Sequence, residues 1–121
     1  MVLILGGVGA GKREYALSLG YSENEMSREV FSDLPVVIEL EETVRRAPER
    51  AEELLEPLCK KELVLCAEVG SGVIPLSPED RRFREAAGRL CVLLAKRAEA
   101  VVRVVAGLPM AIKGELPCVR G

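Results

Sequence analysis

The chain has 121 residues, 49% of them hydrophobic and 30% charged, which predicts one folded, soluble domain with a modest core rather than a disordered segment. Its net charge of -2 gives no general electrostatic reason to bind nucleic acid or an anionic membrane. No apolar run approaches the length of a membrane span and no secretion leader precedes the first strand, so we expect a cytoplasmic location.

An apolar run at residues 2–5 predicts a buried parallel strand and leads directly into a glycine-rich motif. The motif has the form G-x-x-x-x-G-K, with Gly6, Gly11 and Lys12 at its fixed positions. Glycines let successive backbone N–H groups face one phosphate, the following helix adds partial positive charge, and the lysine reaches the terminal phosphates. The alternative is a glycine-rich turn that binds nothing. The predicted phosphate-binding residues are Gly6, Gly7, Val8, Gly9, Ala10, Gly11, Lys12 and Arg13.

The residue after the lysine departs from the usual motif, because Arg13 stands where serine or threonine is expected. The missing hydroxyl normally ligates Mg²⁺, and a guanidinium has no lone pair to offer a metal. The sequence therefore predicts binding of ATP or GTP through its phosphates and weighs against ordinary Mg²⁺-dependent catalysis.

Strands and helices are predicted to alternate along the rest of the chain, since continuous apolar runs are separated by stretches with helical periodicity. Predicted strands lie at residues 36–40, 63–67 and 101–106, with a short antiparallel edge strand at 110–113. Predicted helices lie at residues 12–19 and 77–98, and a helix-periodic stretch at 41–61 contains a further, middle helix. A short helical turn is expected near 25–31 and a frayed tail at 114–121.

Local signals support the helix bounds. Pro48 is expected in the first turn of the middle helix, where its missing N–H costs nothing. Ser77 is expected to cap the long helix, with Pro78 at its first position. The alternation predicts an α/β fold with a mostly parallel sheet flanked by helices. Ligands of such folds bind at the carboxyl ends of the strands, which places Glu39 and the glycine-rich loop after Glu68 beside the phosphate loop.

The four cysteines have no C-x-x-C spacing and the chain has no histidine, so we predict no protein zinc site. Cys66 and Cys91 fall within apolar patterns and are interpreted as small buried hydrophobes. Cys59 and Cys118 are predicted to be exposed thiols, and a disulfide framework is not expected. The absence of histidine also excludes the usual nucleophilic triads.

Four blocks occur together and in order: Gly6-Gly7-x-x-x-Gly11-Lys12, Glu68-Val69-Gly70-x-Gly72-Val73-Ile74-Pro75, Arg82-Phe83-Arg84-x-x-x-Gly88-Arg89-Leu90, and Val104-Val105-Ala106-Gly107-Leu108-Pro109. In this combination the chain resembles the bifunctional adenosylcobinamide kinase/adenosylcobinamide-phosphate guanylyltransferase family of cobalamin biosynthesis. The match runs almost throughout residues 63–113, whereas the middle of the chain is shorter than in the family.

The resemblance implies one P-loop, RecA-like nucleotide-binding domain over residues 1–121, often assembled as a homotrimer. It implies a kinase step on the aminopropanol arm of adenosylcobinamide and a guanylyl transfer through a GMP–histidine intermediate. Because the chain contains no histidine, that second mechanism is not available to these residues.

The resemblance also implies a catalytic role for Lys12 and functional roles for three acidic residues. Glu39 would hold a metal through water and take part in catalysis, and Glu42 is an equally possible match to an acidic nucleotide contact. Glu68 matches the Glu-Val-Gly of the family, although Ala67 replaces a usual asparagine. The alternatives are an exposed strand end for Glu39 and a structural acid bonded to backbone amides for Glu68.

Two functional hypotheses follow, and a third denies any function to the loop. The chain is either a reduced kinase that uses ATP or GTP on a corrinoid alcohol, or a non-catalytic subunit that binds a nucleotide or a corrinoid. Arg13 and the missing histidine favour the second. The third alternative is a structural remnant with no nucleotide affinity.

Overall fold

A computed structural model describes residues 1–68 and 77–120, so the predicted glycine-rich loop at 69–76 lies outside the described residues. Six strands form one sheet in the order β2-β3-β4-β1-β5-β6. They are β1 (Val2–Gly6), β2 (Met26–Ser27), β3 (Val36–Val37), β4 (Leu63–Ala67), β5 (Ala100–Val105) and β6 (Leu108–Lys113). The helices are α1 (Lys12–Ser18), α2 (Leu40–Arg46), α3 (Leu55–Cys59) and α4 (Pro78–Arg97), with 3-10 turns at Glu23–Glu25 and Pro48–Leu54.

The sheet is parallel except at its C-terminal edge, which confirms the predicted fold class. β1 pairs in parallel with β4 on one side and with β5 on the other. β6 returns antiparallel to β5, as the pattern at residues 110–113 predicts, although the strand begins two residues earlier at Leu108.

Both faces of the central strands are covered by helices, which explains their continuous apolar runs. Leu3 and Val64 face a core formed with α2, α3 and α4. Ile4 and Leu65 face a second core formed with α1. Successive residues of one strand point to opposite faces, so a run such as that of β4 fills both cores.

The long helix α4 confirms its sequence signals. Ser77 Oγ accepts a hydrogen bond from the Asp80 amide at 3.0 Å, and Pro78 stands at the first helical position. Leu90 and Leu94 are completely buried against the sheet. No described helix combines the length and the apolarity that a membrane span requires.

The middle of the chain differs from the prediction. The expected strand at residues 36–40 ends at Val37, and Leu40 already begins α2. The helix-periodic stretch at residues 41–61, whose main helix is expected to begin near Pro48, is divided into α2, a 3-10 turn and α3. The break falls at Ala47 (φ -149°, ψ 72°), the residue before Pro48, where the proline ring disfavours helical backbone. Pro48 does stand in a first turn, but of the 3-10 segment.

The segment after α1 and the tail also differ from expectation. The helical turn expected near residues 25–31 is a 3-10 turn at Glu23–Glu25, followed by β2. The tail at 114–120 has no regular structure, but it is anchored rather than frayed at Arg120. The Arg120 amide donates to Leu19 O at 2.8 Å, and its guanidinium lies 4.2 Å from the centre of the Tyr21 ring.

Two glycines provide a matched test of backbone proximity. A Cβ on Gly6 would lie 2.7 Å from Val104 O, so Gly6→Ala must push β1 away from β5. We expect it to lower the free energy of unfolding by about 1–3 kcal/mol. A Cβ on Gly88, on the exposed face of α4, would meet nothing. Gly88→Ala should therefore raise the free energy of unfolding by about 0.5–1 kcal/mol. Urea titration of both variants measures the two changes. Equal changes in the two variants would contradict this account of the β1–β5 contact.

The Tyr21 hydroxyl is expected to lose its proton at a higher pH than an ordinary tyrosine. Burial and a hydrogen bond to the Glu62 carboxylate at 2.8 Å raise its pKa from 10.0 to about 12. Because the folded protein holds the Tyr21 proton more tightly than the unfolded chain does, the protonated hydroxyl stabilises the fold. This stabilisation is complete below pH 10 and is lost as the pH rises to about 12. In a Tyr15→Phe background, where Tyr21 is the remaining tyrosine, tyrosinate absorbance should show this midpoint. Glu62→Gln should lower the midpoint, and an unchanged value would refute the role of Glu62.

Candidate phosphate-binding site

β1 brings Gly6 to the carboxyl edge of the sheet, and the loop that follows has glycines where the backbone needs them. The Ala10 amide donates to Gly7 O at 3.1 Å and closes a turn. Gly9 and Gly11 have φ values of 77° and 100°, a region that disfavours residues with a side chain. Within residues 1–68 and 77–120, the amides of Val8, Gly9 and Gly11 donate to no other group. These N–H groups are available to a ligand.

Lys12 lies against the loop that it follows. Its Nζ donates to Gly6 O at 3.0 Å and to Gly7 O at 2.9 Å. These two bonds hold the ammonium at the mouth of the loop rather than in open solvent. A point charge with three donors in this place suits an oxyanion.

The β5–β6 turn supports the loop from behind. The Gly107 amide donates to Ala10 O at 2.8 Å, and a Cβ on Gly11 would lie 3.1 Å from the Gly107 Cα. Ala106 and Gly107 both have positive φ, as tight hairpin turns require. The sequence showed the turn at Gly107 but gave no signal that it touches the phosphate loop, because that contact joins residues about one hundred positions apart.

A cleft of about 400 Å³ opens beside the loop. It brings together Lys12, Arg13 and Glu39, three of the predicted site residues. It also includes Arg28 and Glu41, which sequence reasoning missed. The lining residues are Val8, Gly9, Gly11, Lys12, Arg13, Glu14, Arg28, Ile38, Glu39, Glu41 and Leu65.

Glu39 immediately precedes α2 and lines the cleft. Its backbone is left-handed (φ 53°, ψ 44°), which is uncommon for a residue other than glycine. Its carboxylate is ion-paired with the Arg28 guanidinium. The hydrogen bond from Arg28, together with the positive charges of Arg28 and Arg13, holds the pKa of Glu39 below its usual value despite some desolvation. Glu39 therefore stays ionised at neutral pH.

Glu41 joins α2 to the end of β4. Its Oε1 accepts a hydrogen bond from the Ala67 amide at 2.9 Å. The family resemblance made Glu42 an equally possible nucleotide contact; the structure places Glu42 exposed and outside the residues that line the cleft. The available signal was periodicity: α2 buries Leu40 and Val44, which leaves Glu41 turned toward β4.

The backbone of Glu68 bonds to the phosphate loop, and its side chain forms an ion pair with Arg103. Its amide donates to Gly6 O at 3.0 Å. Its carboxylate receives two hydrogen bonds from Arg103 on β5, at 2.8 and 3.2 Å. The structure thus gives Glu68 a side-chain partner different from the backbone amides considered for it.

The acids and Arg13 do not make a donor set that suits Mg²⁺. Arg13 has no lone pair, Glu39 is paired with Arg28, and Glu41 accepts a backbone amide. Across the described ranges, residues 1–68 and 77–120, no group of three or more histidine, cysteine, aspartate or glutamate residues could hold a metal ion.

A parallel sheet whose first strand ends in a glycine-rich loop and a lysine defines a P-loop α/β protein. The chain belongs to the cobinamide kinase/cobinamide phosphate guanyltransferase family, which it matches over residues 23–112. This confirms the resemblance; the matched range begins after the phosphate loop.

A curated relative agrees with the family. The bifunctional adenosylcobalamin biosynthesis protein CobP of Pseudomonas aeruginosa is 43% identical over 63 residues, which are 52% of this chain and 36% of the relative. The aligned part thus covers little more than a third of that protein's length.

Proposed function

We propose that the chain binds the triphosphate of ATP or GTP in the cleft beside the phosphate loop. The observation that carries the proposal is the Lys12 ammonium, held 2.9–3.0 Å from two loop carbonyls next to backbone amides that have no partner among the described residues. Loop amides would hold the phosphate oxygens, and Lys12 would supply the compensating charge.

Two guanidinium groups favour a site that works without a metal. Arg13 and Arg28 both line the cleft. An arginine stays charged at any accessible pH and forms two parallel bonds with a phosphate, so it can neutralise charge that Mg²⁺ would otherwise balance. Arg13 is exposed, and Arg28 needs only to leave Glu39 to reach a nucleotide.

Calorimetric titration with ATP, GTP and GDP, each with and without Mg²⁺, tests the proposal. We expect ATP or GTP to bind with an affinity that changes little when Mg²⁺ is removed. Binding that requires Mg²⁺ would overturn the metal-free site and restore the ordinary kinase hypothesis. No binding of any of the three would reduce the loop to a structural remnant.

A second candidate, phosphoryl transfer to the alcohol of a cobinamide, is favoured by one observation: Glu39 lines the same cleft as Lys12. Phosphoryl transfer depends mainly on positioning and charge neutralisation, which these residues could supply. Guanylyl transfer through a histidine would need a residue that these 121 do not contain. The corrinoid acceptor and a homotrimeric assembly are proposals that rest on family membership, and sedimentation would test the assembly.

Glu39→Gln separates the two candidates. It removes a negative charge beside the triphosphate and releases Arg28, so nucleotide affinity should rise about tenfold, the value of one charge-assisted hydrogen bond. If Glu39 is catalytic, transfer to adenosylcobinamide should be lost in the same variant. Glu49→Gln, on the exposed 3-10 segment and outside the cleft lining, is the matched control and should change neither. Lower affinity in Glu39→Gln would contradict the proposed role of Arg28.

A further inference from the structure

Two thiols that the nucleotide site does not use face each other across the core. Cys66 on β4 is 1% exposed, and Cys91 on α4 is partly buried. Their Sγ atoms lie 3.8 Å apart, joined by an S–H hydrogen bond. The sequence interpretation treated both as small buried hydrophobes, and the burial of Cys66 confirms that prediction for one of them. The pairing itself had no sequence signal, because 25 residues separate the two cysteines.

We propose that Cys66 and Cys91 are a modification site that closes reversibly into a disulfide by exchange with a low-molecular-weight disulfide such as oxidised glutathione. The Cys91 thiolate attacks one glutathione sulfur, breaks its S–S bond and releases one reduced glutathione. Cys66 then attacks Cys91 Sγ, which releases the second glutathione; the protons that the two cysteines give up are taken up by the two released glutathione thiolates. The two cysteines are oxidised, and one glutathione disulfide is reduced to two thiols.

The geometry suits this exchange. The sulfur atoms must approach from 3.8 Å to about 2 Å, so closing the bond draws β4 and α4 toward each other at this point. The exposure of Cys91 makes it the sulfur that a soluble disulfide reaches first. Their hydrogen bond also lowers the pKa of Cys91, whereas that bond and burial raise the pKa of Cys66. Cys91 is therefore the thiol that ionises and attacks first, in agreement with its exposure.

The pair is connected to the phosphate-binding cleft through β4. Cys66 pairs with Leu5 in the β1–β4 register, and Leu5 is the residue before Gly6. Cys66 also precedes Ala67, whose amide donates to the Glu41 carboxylate that lines the cleft. Drawing Cys66 toward α4 would move this amide relative to Glu41. The disulfide would thus change the cleft without touching a ligand in it.

The first experiment follows the bond itself. The full chain is incubated with excess oxidised glutathione, and intact mass and peptide mapping are expected to show the loss of two hydrogen atoms and one Cys66–Cys91 cross-link. A Cys59→Ser/Cys118→Ser variant should oxidise in the same way. Adding Cys91→Ser to it, or Cys66→Ala in case the serine impairs folding, should abolish the cross-link. Retention of both thiols, a stable mixed glutathione adduct, or a cross-link elsewhere would overturn the proposal.

The second experiment follows the cleft and requires no nucleotide, so its outcome is independent of the proposed function. Amide NMR signals of Ala67 and of the loop from Gly6 to Arg13 are compared in the reduced and oxidised forms. We expect Ala67 to shift on oxidation and to return when reductant is added. A disulfide that forms while these signals stay unchanged would overturn the connection to the cleft.

Discussion

Lys12→Ala is expected to weaken binding of ATP or GTP at least about 100-fold, because it removes a charge-assisted contact worth about 3 kcal/mol. The structure places the Lys12 ammonium within 3.0 Å of two loop carbonyls, and alanine cannot replace it there. The fold should persist, because among the described residues the Lys12 ammonium bonds two loop carbonyls that are half-buried or exposed, and Lys12 belongs to neither apolar core. Calorimetry measures the affinity, and circular dichroism checks the fold.

The matched control for Lys12 is Lys96→Ala, which removes an equal charge from the exposed end of α4. It should leave nucleotide affinity within about twofold, since an exposed charge far from the ligand is screened by salt. Unchanged affinity in Lys12→Ala would show that the nucleotide binds elsewhere. A loss of similar size in both variants would mean that general positive charge, rather than the loop, attracts the nucleotide.

Arg13→Ser is expected to change the metal dependence of the site. The serine hydroxyl offers Mg²⁺ the ligand that arginine lacks, so Mg²⁺-dependent nucleotide hydrolysis should rise about tenfold. Binding without metal should fall by a similar factor, because one charge-assisted contact is lost. Phosphate release and calorimetry, each with and without Mg²⁺, measure the two effects.

Arg13→Ala separates the loss of charge from the gain of a hydroxyl. It should lose metal-free affinity as Arg13→Ser does, without gaining Mg²⁺-dependent hydrolysis. Equal hydrolysis in the two variants would mean that the hydroxyl is not what the wild-type loop lacks. Metal-free binding that survives both substitutions would exclude Arg13 as a replacement for the cation.

The sequence predicted the parts of the fold that local patterns determine. The runs at β1 and β4 are apolar at every position, and only strands buried on both faces need that. Ser77 and Pro78 mark the start of α4 with a cap and a fixed φ angle, both local effects. The middle of the chain was predicted less well, because its helical periodicity runs over residues 41–61 without showing that α2 ends at Arg46 and that a 3-10 segment begins at Pro48.

The candidate site was predictable only where a motif defined it. The loop from Gly6 to Lys12 follows from spacing alone. The Arg28–Glu39 pair and the Glu41 bond to the Ala67 amide depend on where α2 lies relative to β4, which no local pattern specifies. Glu42 was chosen by likeness to the family, and a difference of one position on a helix turns a side chain by about 100°.

The bond from Gly107 to Ala10 has a consequence for how the protein is made. The amide that supports the phosphate loop is synthesised almost one hundred residues after the loop itself. The order of synthesis therefore delays the final shape of the loop until the β5–β6 hairpin has emerged and docked. Contacts of such long sequence separation form slowly, so the nascent chain passes through a period in which strands β1 to β4 can pair before the ligand site exists.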